Sequence, residues 1–321
     1  MAVIGEKAGG APAARGPDGP AAVEVSGLRM RYGGKDVLDG VDFRIDRGEV
    51  LTLLGPNGAG KTTIIEILEG FRARSAGEVR VLGADPISGG EAWRARIGVV
   101  LQSWRDHAKW RVRDLLELFA AHYAPYSSPE RPRPRDVDEL LELVGLTGHA
   151  GAKLGSLSGG QRRRVDVAVG IVGRPDLLFL DEPTAGFDPQ ARRDFHDLVH
   201  ALADEEDTTI LLTTHDLDEA EKLADRILML AGGRIVADGS PEALARELGS
   251  DSEVRWRIGG ERFVHSTPDG AAFVRGLFEQ HGGDVTDLEV RRAGLEEVYM
   301  DLVRRHESGG SAAGAGEGGV R

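Results

Sequence analysis

Two stretches of this sequence have the residue types and spacing for phosphate chemistry. Gly55-Pro56-Asn57-Gly58-Ala59-Gly60-Lys61-Thr62-Thr63 fits G-x-x-x-x-G-K-[ST], the P-loop pattern. Asp176-Leu177-Leu178-Phe179-Leu180-Asp181-Glu182-Pro183 is an apolar run ending in two carboxylates, with Asp181 standing 120 residues after Lys61. In the first stretch, glycines let a loop turn tightly and aim backbone N–H groups inward. A helix N-terminus adds partial positive charge there, and Lys61 supplies a full charge. Such a loop cradles a nucleoside triphosphate, with the Thr62 hydroxyl placed for the Mg²⁺ that bridges the outer phosphates. In the second stretch, Asp181 can hold that Mg²⁺ through its water shell. Glu182, one residue on, can act as general base toward the attacking water, a role worth roughly 10² to 10⁴ in rate. A third stretch, Leu157-Ser158-Gly159-Gly160-Gln161-Arg162, opens a helix with a serine hydroxyl and glycine amides, so it reads as a second anion site.

The elements that must position these residues follow from hydrophobic periodicity. Val50 to Leu54 reads as a buried parallel strand, and Lys61 to Glu69 as a helix with Ile64, Ile65 and Leu68 on one face. Strand, glycine-rich turn and helix in that order are the context the loop needs. Val23 to Ile45 alternates around Tyr32-Gly33-Gly34-Lys35-Asp36, which predicts antiparallel strands, and Glu78 to Leu82 predicts another. Helical spacing at Val112, Leu115, Leu116 and Phe119, and again at Val137, Leu140, Leu141 and Val144, predicts a helical subdomain over about 93–157. Arg131, Arg133 and Arg135 in its Pro-rich break read as a docking patch or a solvated linker. Helices at 161–170, 190–203 and 216–225 alternate with strands at 177–180 and 209–213, and a hairpin follows over 226–237. This alternation argues for a parallel sheet covered on both faces. The fold class expected is therefore α/β: a P-loop NTPase core with a mostly parallel sheet, an antiparallel β subdomain and an inserted helical subdomain. A small C-terminal α+β appendage completes it. The divisions expected are a disordered lead over 1–21, an ATPase domain over 22–240, an accessory domain over 241–306 and a disordered tail over 307–321. The accessory domain should end in a helix carrying Leu295, Val298, Tyr299, Leu302 and Val303.

Composition narrows the class. Fifty-three acidic against forty basic side chains among 321 residues give a net charge of −13, and no basic stripe carries interleaved aromatics, so nucleic acid is not an expected partner. No apolar run reaches the ~18 to 20 residues that span a bilayer, and no signal core opens the chain. The absence of cysteine excludes disulfides, thiolate metal sites and cysteine nucleophiles. His196 and His200 stand i,i+4 on a predicted helix, a metal pair only if a third ligand joins them.

One chain with one P-loop does not need two phosphate cradles. On that combination, and above all on Leu157 to Gln161, residues 23–240 resemble the ATP-binding subunit of an ABC transporter. The resemblance implies two subunits packed head to tail around two ATP. Ser158, Gly159, Gly160 and Gln161 of one then close over the nucleotide held by Gly55 to Thr63 of the other. It further implies that Tyr32 stacks on adenine, that Gln102 reaches Mg²⁺ and the attacking water, and that His215 contacts the γ-phosphate and Glu182. Asp188 links the two sites. Arg162, Arg163 and Arg164 then pair with acids of the helical subdomain or with the membrane partner. Ala185 and Phe187 depart from the Ser and Leu frequent in the family. Leu101-Gln102-Ser103-Trp104-Arg105-Asp106-His107 and the ending Leu295-Glu296-Glu297-Val298-Tyr299 are similar to exporter ATPases of the daunorubicin-resistance type. That similarity implies an ATPase at the cytoplasmic face of the membrane, attached to a separately encoded transmembrane permease that exports a drug or other small hydrophobic molecule. Trp104 and Arg105 stand either at the permease contact or in ordinary helix packing. A soluble ABC ATPase acting in translation or DNA maintenance is the alternative.

Overall fold

The computed structural model describes residues 21–100, 107–184, 186–204, 206–247, 252–267, 269–291 and Tyr299. β1 (Val23–Tyr32) and β2 (Lys35–Ile45) form an antiparallel hairpin. Its Gly33-Gly34 turn has φ of 51° and 92°, the doubly left-handed geometry that matches strand twist. Next come β3 (Val50–Leu54), α1 (Lys61–Leu68), β4 (Ala76–Val81), α2 (Glu91–Arg94) and β5 (Ile97–Val100). Helices α3 (Val112–Tyr123), α4 (Val137–Leu143) and α5 (Gly159–Ile171) lead back to β6 (Leu177–Asp181). Then α6 (Pro189–Asp204), β7 (Thr209–Thr214), α7 (Leu217–Leu223), β8 (Arg226–Ala231) and β9 (Arg234–Gly239) complete the core. The appendage comprises α8 (Pro241–Glu247), β10 (Ser252–Ile258), β11 (Glu261–Thr267), α9 (Gly270–His281) and β12 (Thr286–Arg291).

The central sheet runs β5-β6-β7-β3-β8-β9, parallel except for the final β8–β9 pair. Its strands are apolar on both faces because both faces are covered. Leu51, Leu53, Phe179, Leu211 and Leu228 point to the side holding α1 and the β2-β1-β4 sheet. Val50, Leu178, Leu180, Ile210 and Leu212 point to the side holding α3, α4, α5 and α6. The apolar runs predicted as buried strands thus form a two-sided core, and burying a side chain such as Phe179 stabilises it by roughly 1.5–3 kcal/mol.

Three adjacent strands end together. Leu54 pairs with Thr214, and Asp181 pairs with Thr213, so the residues after β3, β6 and β7 emerge side by side at the carboxyl edge. Open α/β sheets bind ligands at this edge.

Several expectations change. Ile97–Val100, within the stretch expected to be helical, is the outer strand of the central sheet, beside β6. The Pro-rich arginines form neither a docking patch nor a solvated linker. Arg131 lies 2.8 Å from Asp176, Arg133 donates to Gly173 O at 2.8 Å, and Arg135 donates to Glu206 at 2.6 Å. They staple the helical layer onto the start of β6 and onto the turn before β7, drawn in by carbonyl and carboxylate acceptors distant in sequence. In the appendage, β10 is the middle strand of a β11-β10-β12 sheet, of which β12 carried no recognised signal. The last predicted helix lies outside the described residues apart from Tyr299, which packs with Leu54, Ala220, Ile227, Met229 and Leu244.

Candidate active site

Between β3 and α1 the chain makes the turn that the glycines require. Gly60 has φ 110°, and a Cβ on Gly55 would meet Leu230 O at 2.6 Å. Gly60 O accepts from Ile64 N at 3.0 Å to start the helix. Lys61, only 6% exposed, folds back over this loop and donates from Nζ to Gly55 O at 2.6 Å and to Pro56 O at 3.2 Å. Burial lowers its pKa, while the nearby charges of Glu182 and Asp181 act against that shift. Lys61 Nζ stands 3.8 Å from Glu182 Oε1.

The end of β6 supplies the acids. Asp181, 6% exposed, accepts from Thr213 Oγ1 at 2.6 Å through Oδ1 and from Thr62 Oγ1 at 3.3 Å through Oδ2. A hydroxyl and a carboxylate suit a hard divalent cation that completes its octahedron with water and phosphate oxygens, as Mg²⁺ does. Among the described residues no group of three or more His, Asp and Glu could cage an ion by themselves. His196 and His200 therefore gain no third ligand there, and His200 instead stands 3.2 Å from Lys222 O.

Glu182 adopts φ 46°, a left-handed conformation that costs a non-glycine residue about 1–2 kcal/mol. Its N–H is held by Thr213 O and Thr213 Oγ1, each at 3.2 Å. The turn carries the carboxylate to His215, whose Nδ1 lies 3.2 Å from Glu182 Oε1. With its proton on Nδ1, His215 donates to that carboxylate. The histidine side chain is 58% exposed and the Glu182 side chain 14%, so the pair joins the buried acid edge to solvent.

Ser158 is the N-cap of α5. Its hydroxyl accepts from Gln161 N at 3.2 Å while its own N–H donates to Gln161 Oε1 at 3.0 Å, a reciprocal capping box. Gln161 Nε2 also lies 3.0 Å from His149 Nε2. Among the described residues a Cβ on Gly159 or Gly160 would meet nothing within 4 Å, so no described atom requires glycine at either position. Ser158 is held within its own helix and Lys61 by its own loop, and among the described residues no hydrogen bond joins the two.

Tyr32, exposed at the end of β1, carries the Arg72 guanidinium 5.2 Å from its ring centroid. Asp188 caps α6 by accepting from Gln190 N and Ala191 N at 2.9 and 2.8 Å. Phe187 is buried edge-on against Phe195 at 5.9 Å. Gln102, Trp104, Arg105 and Ala185 lie outside the described residues. The three arginines of α5 divide. Arg162 stands 3.9 Å from Asp166 and Arg164 donates to Asp194 at 3.0 Å, while Arg163 turns inward and donates to backbone carbonyls. Thr213, which orients both acids, is in sequence only the end of a predicted strand. The available signal was Thr213-Thr214, two polar residues closing the apolar run Ile210-Leu211-Leu212.

Residues 38–185 match the sequence profile of the ABC transporter family. Over 305 residues the chain is 36% identical to a daunorubicin resistance ATP-binding protein of Streptomyces coeruleorubidus, covering 88% of this chain and 95% of that one. A Nod factor export ATP-binding protein I of Rhizobium leguminosarum bv. viciae is 38% identical over 309 residues, covering 89% and 96%. Among solved structures, an ATP-binding subunit of an ABC transporter superimposes with a TM-score of 0.63 at 27% identity, over 70% of this chain and 92% of that one. A cassette solved as a dimer in a post-hydrolysis state with ADP and Pi gives 0.60 at 25% identity, over 68% and 98%.

Proposed function

The chain belongs to the ABC transporter family as an ATP-binding, ATP-hydrolysing protein, and from that premise we propose that it powers a separately encoded membrane permease exporting a drug or other small hydrophobic molecule. The observation that carries the ATPase mechanism is the cluster at the strand ends, with Glu182 Oε1 3.2 Å from His215 Nδ1 and 3.8 Å from Lys61 Nζ. The export reading is supported by relatives named for daunorubicin resistance and Nod factor export, each aligned over most of its length. No helix among the described residues is long and apolar enough to cross a membrane; on this reading a separate permease supplies the path and holds this chain at the cytoplasmic face.

In this mechanism the backbone amides of Gly55 to Thr63 and the Lys61 ammonium bind the phosphates, and Tyr32 supports the adenine. Thr62 and Asp181 would hold Mg²⁺, with Gln102 as a further ligand, and a bound ion would supply positive charge to the outer phosphates. Glu182 takes a proton from water as the water oxygen bonds to the γ-phosphorus and the bond to the β–γ bridging oxygen breaks, leaving ADP and phosphate. His215 holds the carboxylate toward the reacting water. Ser158, Gly159, Gly160 and Gln161 of a second copy close the nucleotide from the other side, with Asp188 near the junction. The open space over Gly159 and Gly160 is compatible with this lid, since among the described residues nothing lies within 4 Å of where their side chains would stand. ATP then favours the closed dimer and hydrolysis removes that preference.

Glu182→Gln should abolish turnover and leave an ATP-bound dimer detectable by size-exclusion chromatography with light scattering. Hydrolysis at the native rate would remove Glu182 as the base. Detergent co-purification with a polytopic membrane protein supports the export reading; co-sedimentation with ribosomes or DNA in its place would overturn it.

A further inference from the structure

The helix that offers Ser158 at its N-terminus also grips the catalytic strand of its own subunit. Arg163 lies on the inner face of α5 and is only 6% exposed. Its Nε donates to Pro183 O at 2.9 Å, and its Nη2 donates to Asp181 O at 2.9 Å and to Glu182 O at 3.3 Å. One guanidinium thus spans three successive carbonyls across the point where Glu182 enters its left-handed turn. The planar fork of arginine holds such acceptors in fixed directions, which a lysine ammonium on a flexible stem cannot do. Asp166, on the same helix, and Asp181 are the acids that offset the burial of this cation.

We infer that Arg163 is a positioning residue for Glu182, fixing the strand exit from the carbonyl side while Thr213 fixes it from the N–H side. The contacts are to main chain, so they set where the Glu182 backbone sits rather than the charge of its carboxylate. On the reading that Ser158 closes a partner's nucleotide, α5 carries both the lid it lends and the clamp on the base it keeps. Movement of that rigid helix when the lid closes is felt at Glu182 through Arg163. A base displaced by about 1 Å costs on the order of 10²-fold in rate. Nucleotide affinity, set by the P-loop and Lys61, is untouched.

The test compares steady-state ATP hydrolysis by the full chain with Arg163→Gln and Arg163→Lys. The expected result is kcat lower by about 10- to 100-fold in R163Q, with R163K intermediate and KM for ATP within about twofold of native in both. Combining R163Q with Glu182→Gln should still give the ATP-dependent dimer. A native kcat in R163Q, or a KM that rises in proportion to the loss of kcat, overturns the assignment. Failure of E182Q alone to dimerise with ATP would instead count against the shared-site reading. R163K retains the buried charge and most of the stem, so a loss of kcat there at native KM separates lost positioning from lost folding.

Discussion

Replacing Glu69 by Gln should remove a pH dependence from the folding stability of this protein. Glu69 caps the C-terminal end of α1, is 7% exposed, and has no hydrogen-bond partner on either carboxylate oxygen among the described residues. Burial first, then the charges of Asp181 and Glu66, push its pKa from 4.5 to about 8. The folded chain therefore keeps this proton at neutral pH, whereas the unfolded chain releases it. Because the folded pKa is the higher of the two, both states are protonated below about pH 4.5 and the group has no effect there. As pH rises toward about 8 the unfolded state gains by ionising, and native stability falls.

The difference between about 8 and 4.5, at about 1.36 kcal/mol for each pH unit, sets a ceiling of about 5 kcal/mol. Water penetration and local relaxation reduce this to about 2–3 kcal/mol at the effective permittivity of real interiors. Gln has nearly the same shape and does not titrate. Urea unfolding of the native chain and Glu69→Gln at pH 5, 6, 7 and 8 should show the variant gaining on the native by that amount, with the gap opening steadily with pH. A gap that is constant from pH 5 to pH 8 would refute the argument, because the Glu69 carboxylate would then be ionised and solvated in the fold.

Two further perturbations probe the supports of the site. Thr213→Val removes the donor held 2.6 Å from Asp181 Oδ1 and one of the two acceptors on Glu182 N. Loss of such an outer partner should raise the Mg²⁺ concentration for half-maximal ATPase about 10-fold or more; a native Mg²⁺ titration would mean that Asp181 needs no such orientation. Asp176→Asn leaves Arg96, Arg131 and Arg133, now 2.5, 2.8 and 3.6 Å from its carboxylate, without their shared counter-charge. It should cost about 3–5 kcal/mol in chemical denaturation, and a loss below 1 kcal/mol would show that the staple between the helical layer and β6 is not electrostatic.

What was legible in the sequence was whatever is local. The P-loop could be read because strand, turn and helix fall within one contiguous stretch, and Glu182 because two acids close an apolar strand. The Gly33-Gly34 hairpin and the helical faces of α3 and α4 follow from spacing alone. What escaped has partners that only the tertiary fold supplies. Arg131 and Arg133 sit among prolines and look solvated, yet their acceptors at 173–176 are about forty residues away. Ile97–Val100 is too short to declare itself, and it is a strand because β6 offers an edge.

The same distinction separates the two kinds of information in α5. Arg162, Arg163 and Arg164 are indistinguishable as a string, and only helical phase decides that the middle one faces the catalytic strand while its neighbours meet Asp166 and Asp194. Gly159 and Gly160 present the reverse case. Gly60 needs to be glycine for a reason visible in the chain, at φ 110°, whereas Gly159 and Gly160 have ordinary backbone and free space among the described residues. On the proposed shared-site reading, their small size lets a second copy approach the mouth of α5 closely. A side chain there should spare the fold and damage turnover: Gly160→Val should keep ATP binding and lose ATP-dependent dimerisation together with hydrolysis. Native hydrolysis by that variant would mean that nothing packs on this surface during the cycle.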